Sequence, residues 1–141
     1  MSLKNQNLQN IQKQIELYFS DANLRHDKYM LNILQTSEQG NIPISKILSF
    51  NKIISLKANS NDIIEALKNS KSLQVNVESQ TICRKVPFDF NVDSQIPYNK
   101  ILFIKRVPIN WYHKTIREIF ECFGNVAIVR LPKINKSHTR R

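Results

Sequence analysis

Residues 14–29 read QIELYFSDANLRHDKY, and this stretch decides the fold of the first part of the chain. Its opening half continues a stripe of apolar residues at helical spacing, which consists of Leu8, Ile11, Ile15 and Phe19. Because residues three and four positions apart lie on the same side of a helix, this spacing predicts a helix over residues 8–19 with one buried face. Gln14 and Tyr18 are four positions apart at the rim of that stripe.

The closing half of the stretch predicts a turn and a second helix. The polar run 20–23 ends the first helix, and Asp27 opens a segment with apolar residues available for burial over residues 27–34. Aspartate is a preferred N-cap residue because its carboxylate accepts a hydrogen bond from a free backbone N–H in the first helical turn. On this interpretation Asp27 has a purely structural role.

The residues that follow predict two more helices and a β-hairpin. The helices cover residues 44–50 and 63–69, with Asp62 predicted to cap the second of them. Two β-rich runs, 73–77 and 81–86, are separated by three polar residues, and the first run alternates apolar with polar side chains. Helices followed by a β-hairpin indicate an α+β fold of the winged-helix type.

A second structural unit is predicted after residue 99. Its pattern is β-α-β, with a strand over 101–104, a helix over 114–123 and a strand over 125–131. We therefore predict a winged-helix domain over residues 8–87, a linker over residues 88–99 and an incomplete β-α-β unit over residues 100–141.

The charge balance indicates an anionic partner. The 141 residues include 21 Lys and Arg against 11 Asp and Glu, a formal net charge of +10, and residues 91–141 hold 10 of the basic and 3 of the acidic side chains. Nucleic acid fits this excess better than a membrane surface, because no long amphipathic basic helix is predicted. The alternative is that the basic surface only aids solubility.

Cysteine spacing and hydropathy indicate the type of cellular compartment in which the protein works. Cys83 and Cys122 lie far apart without a CxxC pair, so they predict no zinc site and fit a reducing compartment. The polar start of the chain and the lack of a long apolar run predict an intracellular protein without a membrane partner. No cofactor or metal is expected, and the protein is expected to be a monomer.

Three segments together resemble the La motif. They are residues 14–24 followed by Asp27-Lys28-Tyr29, residues 47–52 (ILSFNK), and a hairpin that ends in residues 82–85 (ICRK). The similarity runs in unbroken order over residues 8–87, which makes it more specific than a short motif. It implies a winged-helix domain that holds the uridine-rich 3′-hydroxyl ends of RNA polymerase III transcripts, protects them and assists ribonucleoprotein assembly.

The next segment is similar to the start of an RNA-recognition motif. Residues 102–107 match the hexamer RNP motif of its first strand, and residues 120–126 match its passage from helix to second strand. In that fold the third strand lies between the first and the second, so we expect residues 100–131 to pack poorly by themselves. The sequences of residues 21–24 and 49–52 most resemble those of La-related proteins of group seven. This resemblance implies a nuclear protein with telomerase RNA or 7SK-type RNA as candidate partners.

The resemblance also implies roles for single residues. Gln14 matches the amide that reads a uracil edge, and Asp27 matches the carboxylate that accepts hydrogen bonds from the terminal 2′ and 3′ hydroxyls. Aromatic residues that stack on the bases are matched by Tyr18, Tyr29 and Phe50. The plainer interpretation is a surface glutamine, a helix cap and three core aromatics, and residue types alone favour it.

Further positions follow from the same resemblance. Lys28 and Lys52 would lie near phosphates, although isolated lysines are usually only solvated, and Asn51 belongs to the same binding segment. Phe103 matches the stacking aromatic of the hexamer RNP motif. Leu17 departs from the family pattern, which has an aromatic residue there, so we expect a weaker base-binding surface at that position.

Two other classes of function are weaker alternatives. A winged-helix DNA-binding protein would read DNA with the helix over residues 63–69, yet that helix carries Asp62 and Glu65 against only Lys68. An enzyme is not predicted, because the three histidines, His26, His113 and His138, share no motif with a nucleophile or a set of metal ligands.

Overall fold

A computed structural model describes residues 2–132 and divides the chain into two compact units, Met1–Ile96 and Pro97–Arg141. Each unit is described by itself. The predicted limits of the domains at residues 87 and 99 stay predictions, and residues 133–141 of the predicted second domain lie outside the described residues.

Three helices open the first unit. They are α1 (Leu3–Phe19), α2 (Asp21–Leu24) and α3 (Lys28–Thr36). The first begins five residues earlier than predicted, because the Ser2 side chain accepts a hydrogen bond from the Asn5 backbone N–H at 3.2 Å. The predicted polar turn after α1 is wrong, since Ser20 caps a short helix there instead. The predicted second helix is confirmed, with Asp27 as its N-cap.

A short strand and three short helices follow. They are β1 (Ile42–Pro43), α4 (Ile44–Leu48), α5 (Asn51–Ser55) and α6 (Ser60–Leu67). The helix predicted to reach residue 50 ends at Leu48, because Phe50 has an extended backbone with φ −75° and ψ 135°. Neither β1 nor α5 was predicted from the sequence.

The cap of α6 differs from the prediction. Asn59 is the N-cap residue, and Asp62 completes a capping box: each side chain accepts a hydrogen bond from the other's backbone N–H, at 2.9 and 3.1 Å. The run 59–62 contains four good capping residues, so sequence alone does not select the right one.

Asn59→Ala is expected to lower the free energy of unfolding by about 1 kcal/mol, because it leaves the Asp62 backbone N–H without its acceptor. Urea denaturation measures the change. Asn61→Ala is the control, because Asn61 lies two residues later and does not take part in the capping box. Equal losses in the two variants would contradict the assignment of the cap.

The predicted β-hairpin forms the wing of the winged-helix unit, and it pairs with the short strand β1. Strands β2 (Leu73–Asn76) and β3 (Thr81–Arg84) are antiparallel, and β1 adds to the other side of β3, giving the order β1-β3-β2. Ile82 on the central strand faces Ile42 on one side and Val75 on the other. The predicted hairpin is confirmed, and β1 ties it to the helices.

One apolar core unites these elements. Its buried members include Ile11, Ile15, Phe19, Leu24, Met30, Leu34, Ile42, Ile44, Ile47, Ile53, Ile63, Leu67, Leu73, Ile82 and Phe88. Phe88 packs edge-on against Phe90 with ring centres 5.2 Å apart, and the Arg25 Nε–H donates to the Asp93 carbonyl at 2.7 Å. The segment predicted as a linker therefore begins with a core residue, and its first part packs on the winged-helix unit.

The second unit contains one α-helix, α7 (His113–Glu121), within its described residues 97–132. The strands predicted over 101–104 and 125–131 do not form there. Strands are stable only when a neighbour accepts and donates their backbone hydrogen bonds, and no such neighbour lies among residues 97–132. Ile116 is buried, whereas Phe103 is 80% exposed, which agrees with the expected poor packing.

Candidate nucleic-acid interface

An open cleft of about 340 Å³ lies where the end of α1, the start of α3 and the junction between α4 and α5 meet. Its lining consists of Tyr18, Asp27, Tyr29, Met30, Ser49, Phe50, Asn51 and Lys52. Six of these eight residues were candidate site residues on sequence grounds. The fold thus brings together side chains from three separate segments of the chain.

Three aromatic rings form one wall of the cleft, with Phe50 in the middle. The Phe50 ring lies edge-on to Tyr18, with ring centres 4.9 Å apart and planes at 77°, and to Tyr29, with centres 6.2 Å apart and planes at 61°. Tyr18 and Phe50 are half-buried against the core, and Tyr29 is 57% exposed. The extended backbone at Phe50 interrupts the helices, and it directs this ring toward the two tyrosines rather than along a helix face.

Asp27 lies beside the aromatic wall and serves as a helix cap. Its Oδ1 accepts a hydrogen bond from the Met30 backbone N–H at 3.0 Å. Among residues 2–132 its Oδ2 receives only a long contact of 3.5 Å from the Asn23 side-chain amide, which donates a better bond of 3.0 Å to the Tyr18 carbonyl. A carboxylate accepts several hydrogen bonds, so Oδ2 keeps acceptor capacity on the cleft side of the cap.

The hydroxyl of Tyr18 stays protonated over the physiological range. Burial raises the pKa of this hydroxyl above its ordinary value of 10.0; a hydrogen bond with the Gln14 side chain opposes the increase, and the nearby negative charge of Asp27 adds to it. A neutral phenol both donates and accepts hydrogen bonds. Gln14 lies one turn before Tyr18 on α1 and does not line the cleft itself.

Two lysine side chains lie at the cleft. Lys52 lines it, and the Lys46 ammonium lies 5.6 Å from the centre of the Tyr29 ring, in position for a cation–π interaction. Lys28 is exposed at the start of α3 and does not line the cleft. Sequence reasoning did not single out Lys46, because the contact joins two helices that are unrelated in local sequence.

Two remaining candidates, Leu17 and Phe103, do not line the cleft, and two residues that were not candidates do. Leu17 is half-buried and belongs neither to the core nor to the lining of the cleft. Phe103 belongs to the second unit and is not among the residues that line the cleft. Met30 and Ser49 line it without having been predicted, and both flank predicted residues in the sequence. The RNA-binding roles of all these residues stay predictions.

Residues 11–69 match the family model described as the La domain, and they include every residue that lines the cleft. The chain contains a La domain. The segments 14–29 and 47–52, which carry the resemblance in the sequence, are thus the segments that build the cleft. The predicted La motif and the predicted winged-helix fold are confirmed.

Curated relatives agree with this assignment. The chain is 34% identical over 129 residues to La-related protein 7 of Danio rerio, covering 89% of this chain and 22% of that protein. It is 33% identical over 123 residues to La-related protein 6A of Arabidopsis thaliana, covering 87% and 28% respectively. A La-related protein 7 homolog of Euplotes aediculatus matches at 34% over 95 residues, covering 56% of this chain and 22% of that protein.

A solved structure gives the same fold. The La autoantigen N-terminal domain superposes with a TM-score of 0.56 at 28% identity, covering 62% of this chain and 95% of that domain. The chain spans between 22% and 28% of the length of the curated La-related proteins named above.

Proposed function

We propose that the first unit is an RNA-binding module that holds the 3′-hydroxyl end of a single strand in the aromatic cleft. The observation that carries this proposal is the meeting of three aromatic rings with the capping carboxylate of Asp27 in one open cleft. The La domain supports it. Rings accept unstacked bases, and the carboxylate accepts hydroxyl protons.

The carboxylate selects the chemistry of the strand end. Oδ2 of Asp27 is an acceptor beside the aromatic wall, and a terminal ribose offers two neighbouring hydroxyl donors. A terminal 3′-phosphate would instead place negative charge against this carboxylate. The presence of an acidic residue in a site for RNA is therefore explained by two effects: Asp27 binds the terminal hydroxyls and repels a terminal phosphate.

The aromatic wall supplies affinity without strict base selection. Each base stacked on an aromatic side chain contributes about 1–3 kcal/mol, and every base has a face that stacks. A preference for uridine rests on Gln14, whose amide both donates and accepts, and it acts next to Tyr18. Leu17 offers no stacking face, so we expect this preference to be moderate.

The cellular role that fits such a module is protection of uridine-rich ends. We infer a nuclear protein that binds RNA polymerase III transcripts and assists assembly of a ribonucleoprotein with telomerase RNA or a 7SK-type RNA; this inference rests on the resemblance of residues 21–24 and 49–52 to La-related proteins of group seven. A binding function is proposed rather than an enzymatic one. Within residues 2–132 no group of histidine, cysteine and acidic side chains is placed to hold a metal ion, and His138 lies outside that range. No helix in the same range is long and apolar enough to cross a membrane.

A direct titration tests the proposal. The protein is expected to bind a trinucleotide UUU-OH at least about tenfold more tightly than UUU ending in a 3′-phosphate, because the phosphate replaces the 3′-hydroxyl donor and meets the negative charge of Asp27. Fluorescence anisotropy with both oligonucleotides at the same ionic strength measures the ratio.

Equal affinity for the two ends would contradict the proposal. Tighter binding of duplex DNA than of single-stranded RNA would favour the winged-helix DNA reader instead. The structure gives that alternative little support: Ile63, Ala66 and Leu67 of α6 are buried, Asp62 is used in the capping box, and Glu65 lies 4.0 Å from Lys4.

A further inference from the structure

A second open cleft, of about 570 Å³, adjoins the aromatic cleft. It lies between the end of α3, the strand β1 and the helix α4. Ser49 lines both clefts, and Lys46 lines the second cleft while its ammonium lies 5.6 Å from the ring centre of Tyr29 in the first. The two clefts therefore meet along Ser49, Lys46 and Tyr29.

Hydroxyl groups and one cation give the second cleft its chemistry. Four hydroxyl side chains line it, namely Thr36, Ser37, Ser45 and Ser49, and Lys46 is the charged residue of its lining. Ile33 and Pro43 supply the apolar part of the surface. A surface of this kind, without an aromatic ring, offers nothing for a base to stack on.

Three of these four hydroxyl groups donate a hydrogen bond to a backbone carbonyl. Thr36 donates to the Asn32 carbonyl at 2.8 Å, Ser37 to the Leu34 carbonyl at 2.7 Å and Ser49 to the Lys46 carbonyl at 2.5 Å. A hydroxyl has one proton but two lone pairs, so these oxygens face the cleft as acceptors. They suit a hydroxyl donor better than a phosphate oxygen, whereas the Lys46 ammonium suits a phosphate.

We propose that the second cleft binds the sugar-phosphate backbone of the nucleotides that precede the 3′ end. The acceptor oxygens would take hydrogen bonds from ribose 2′-hydroxyls, and Lys46 would bind the phosphate at the junction of the two clefts. This inference rests on the proposed function, because the strand enters the second cleft only if its end occupies the first. It assigns to the module a second subsite that prefers ribose over deoxyribose.

A matched pair of variants isolates the second cleft. Ser45 is the second residue of α4 and lines only this cleft, and Asn61 is the second residue of α6 and lines neither. Both side chains are exposed. Ser45→Glu and Asn61→Glu therefore add the same charge at the same helical position, where a carboxylate is compatible with the helix dipole.

The test compares the trinucleotide UUU-OH with a longer RNA that ends in the same three residues. The wild-type protein is expected to bind the longer RNA more tightly. Ser45→Glu is expected to weaken binding of the longer RNA about fivefold, the effect of a unit charge a few Å from a phosphate in water, and to leave UUU-OH unchanged. Asn61→Glu is expected to change neither.

Two further readouts separate phosphate from sugar. Lys46→Gln is expected to reduce the slope of log K against log salt for the longer RNA by about 0.7, the contribution of one phosphate on a single strand, and Lys68→Gln, at the C-cap of α6, is its control. A longer RNA with deoxyribose at every position before the terminal UUU-OH is expected to lose most of the gain from length.

The outcomes distinguish this inference from the proposed function. If UUU-OH binds but length adds no affinity, or Ser45→Glu and Asn61→Glu weaken the longer RNA equally, the second subsite is refuted and the end-binding function stands. If deoxyribose before the end costs nothing, the ribose preference is refuted. If UUU-OH does not bind, the proposed function fails and the second subsite fails with it.

Discussion

Asp27→Asn is expected to weaken binding of UUU-OH by roughly 10- to 100-fold, because hydrogen bonds to a charged group contribute about 1.5–3 kcal/mol. The amide has one acceptor oxygen, and the Met30 backbone N–H occupies the corresponding carboxylate oxygen at 3.0 Å. The position of Oδ2 then holds an NH₂ group, which does not accept the terminal hydroxyl protons. Binding of the 3′-phosphate oligonucleotide is expected to stay level or improve, since the repelling charge is gone.

The choice of asparagine keeps folding and binding separate. Asparagine and aspartate are equally good N-caps, so the free energy of unfolding is expected to change by less than about 0.5 kcal/mol. Asp27→Ala removes the cap as well and is expected to cost about 1 kcal/mol of stability. Asp62→Asn is a control for loss of one negative charge at a residue outside the cleft lining. Undiminished selectivity for the 3′-hydroxyl in Asp27→Asn would remove the carboxylate from the binding role.

Arg84→Ala is expected to lower the free energy of unfolding by about 2–4 kcal/mol, because it breaks a partly buried ion pair and leaves its partners unmatched. The side chain of Arg84 is 15% exposed, and its Nη1 lies 2.7 Å from Asp21 Oδ1. The same side chain donates to the carbonyls of Phe19 at 3.2 Å and Val86 at 3.0 Å, and it lies over the ring of Phe88 at 5.3 Å. It thus joins the wing to the end of α1 and to the segment after the wing.

The exposure of Asp21 limits the size of this effect. Its side chain is 42% exposed, so solvent screens part of the unpaired charge, and the loss is set below that of a fully buried pair. Asp21 Oδ1 itself is buried, and among the described residues no hydrogen bond of good geometry reaches it. The guanidinium 2.7 Å away therefore acts on this oxygen mainly through its charge.

Urea denaturation of three variants measures the contribution of Arg84. Arg84→Lys keeps the charge but loses the planar fork, and it is expected to fall between the wild type and Arg84→Ala. Lys71→Ala, on the exposed residue just before the wing, is expected to change stability by less than about 0.5 kcal/mol. A loss below about 1 kcal/mol in Arg84→Ala would show that the ion pair does not hold the wing.

Local patterns in the sequence predicted the elements that depend on local physics. The stripe of Ile11, Ile15 and Phe19 predicted α1, because helical periodicity is visible over a few neighbouring turns of the sequence. Alternation predicted the hairpin for the same reason. The strand β1 was missed, since two residues show no period and their pairing with β3 joins positions about forty apart in the sequence.

The limits of the site prediction have a similar physical origin. Nothing in the sequence around Phe50 separates α4 from α5, and the break arises where this ring packs edge-on against Tyr18 and Tyr29. The resemblance to the La motif placed these three rings in one site, whereas residue types alone favoured a core role. Lys46 was missed by both routes because its contact with Tyr29 is tertiary. The strands of the second unit were predicted from a local β-α-β pattern, which carries no information on pairing, whereas the resemblance to an RNA-recognition motif predicted that residues 100–131 would pack poorly by themselves.

The strand β1 has a consequence for association between molecules. It forms one edge of the sheet and consists of only Ile42 and Pro43. Proline has no backbone N–H to donate, and a two-residue edge offers too few groups to template a further strand. The wing sheet is therefore closed to growth on this side, so that concentrated protein is protected there from edge-to-edge aggregation.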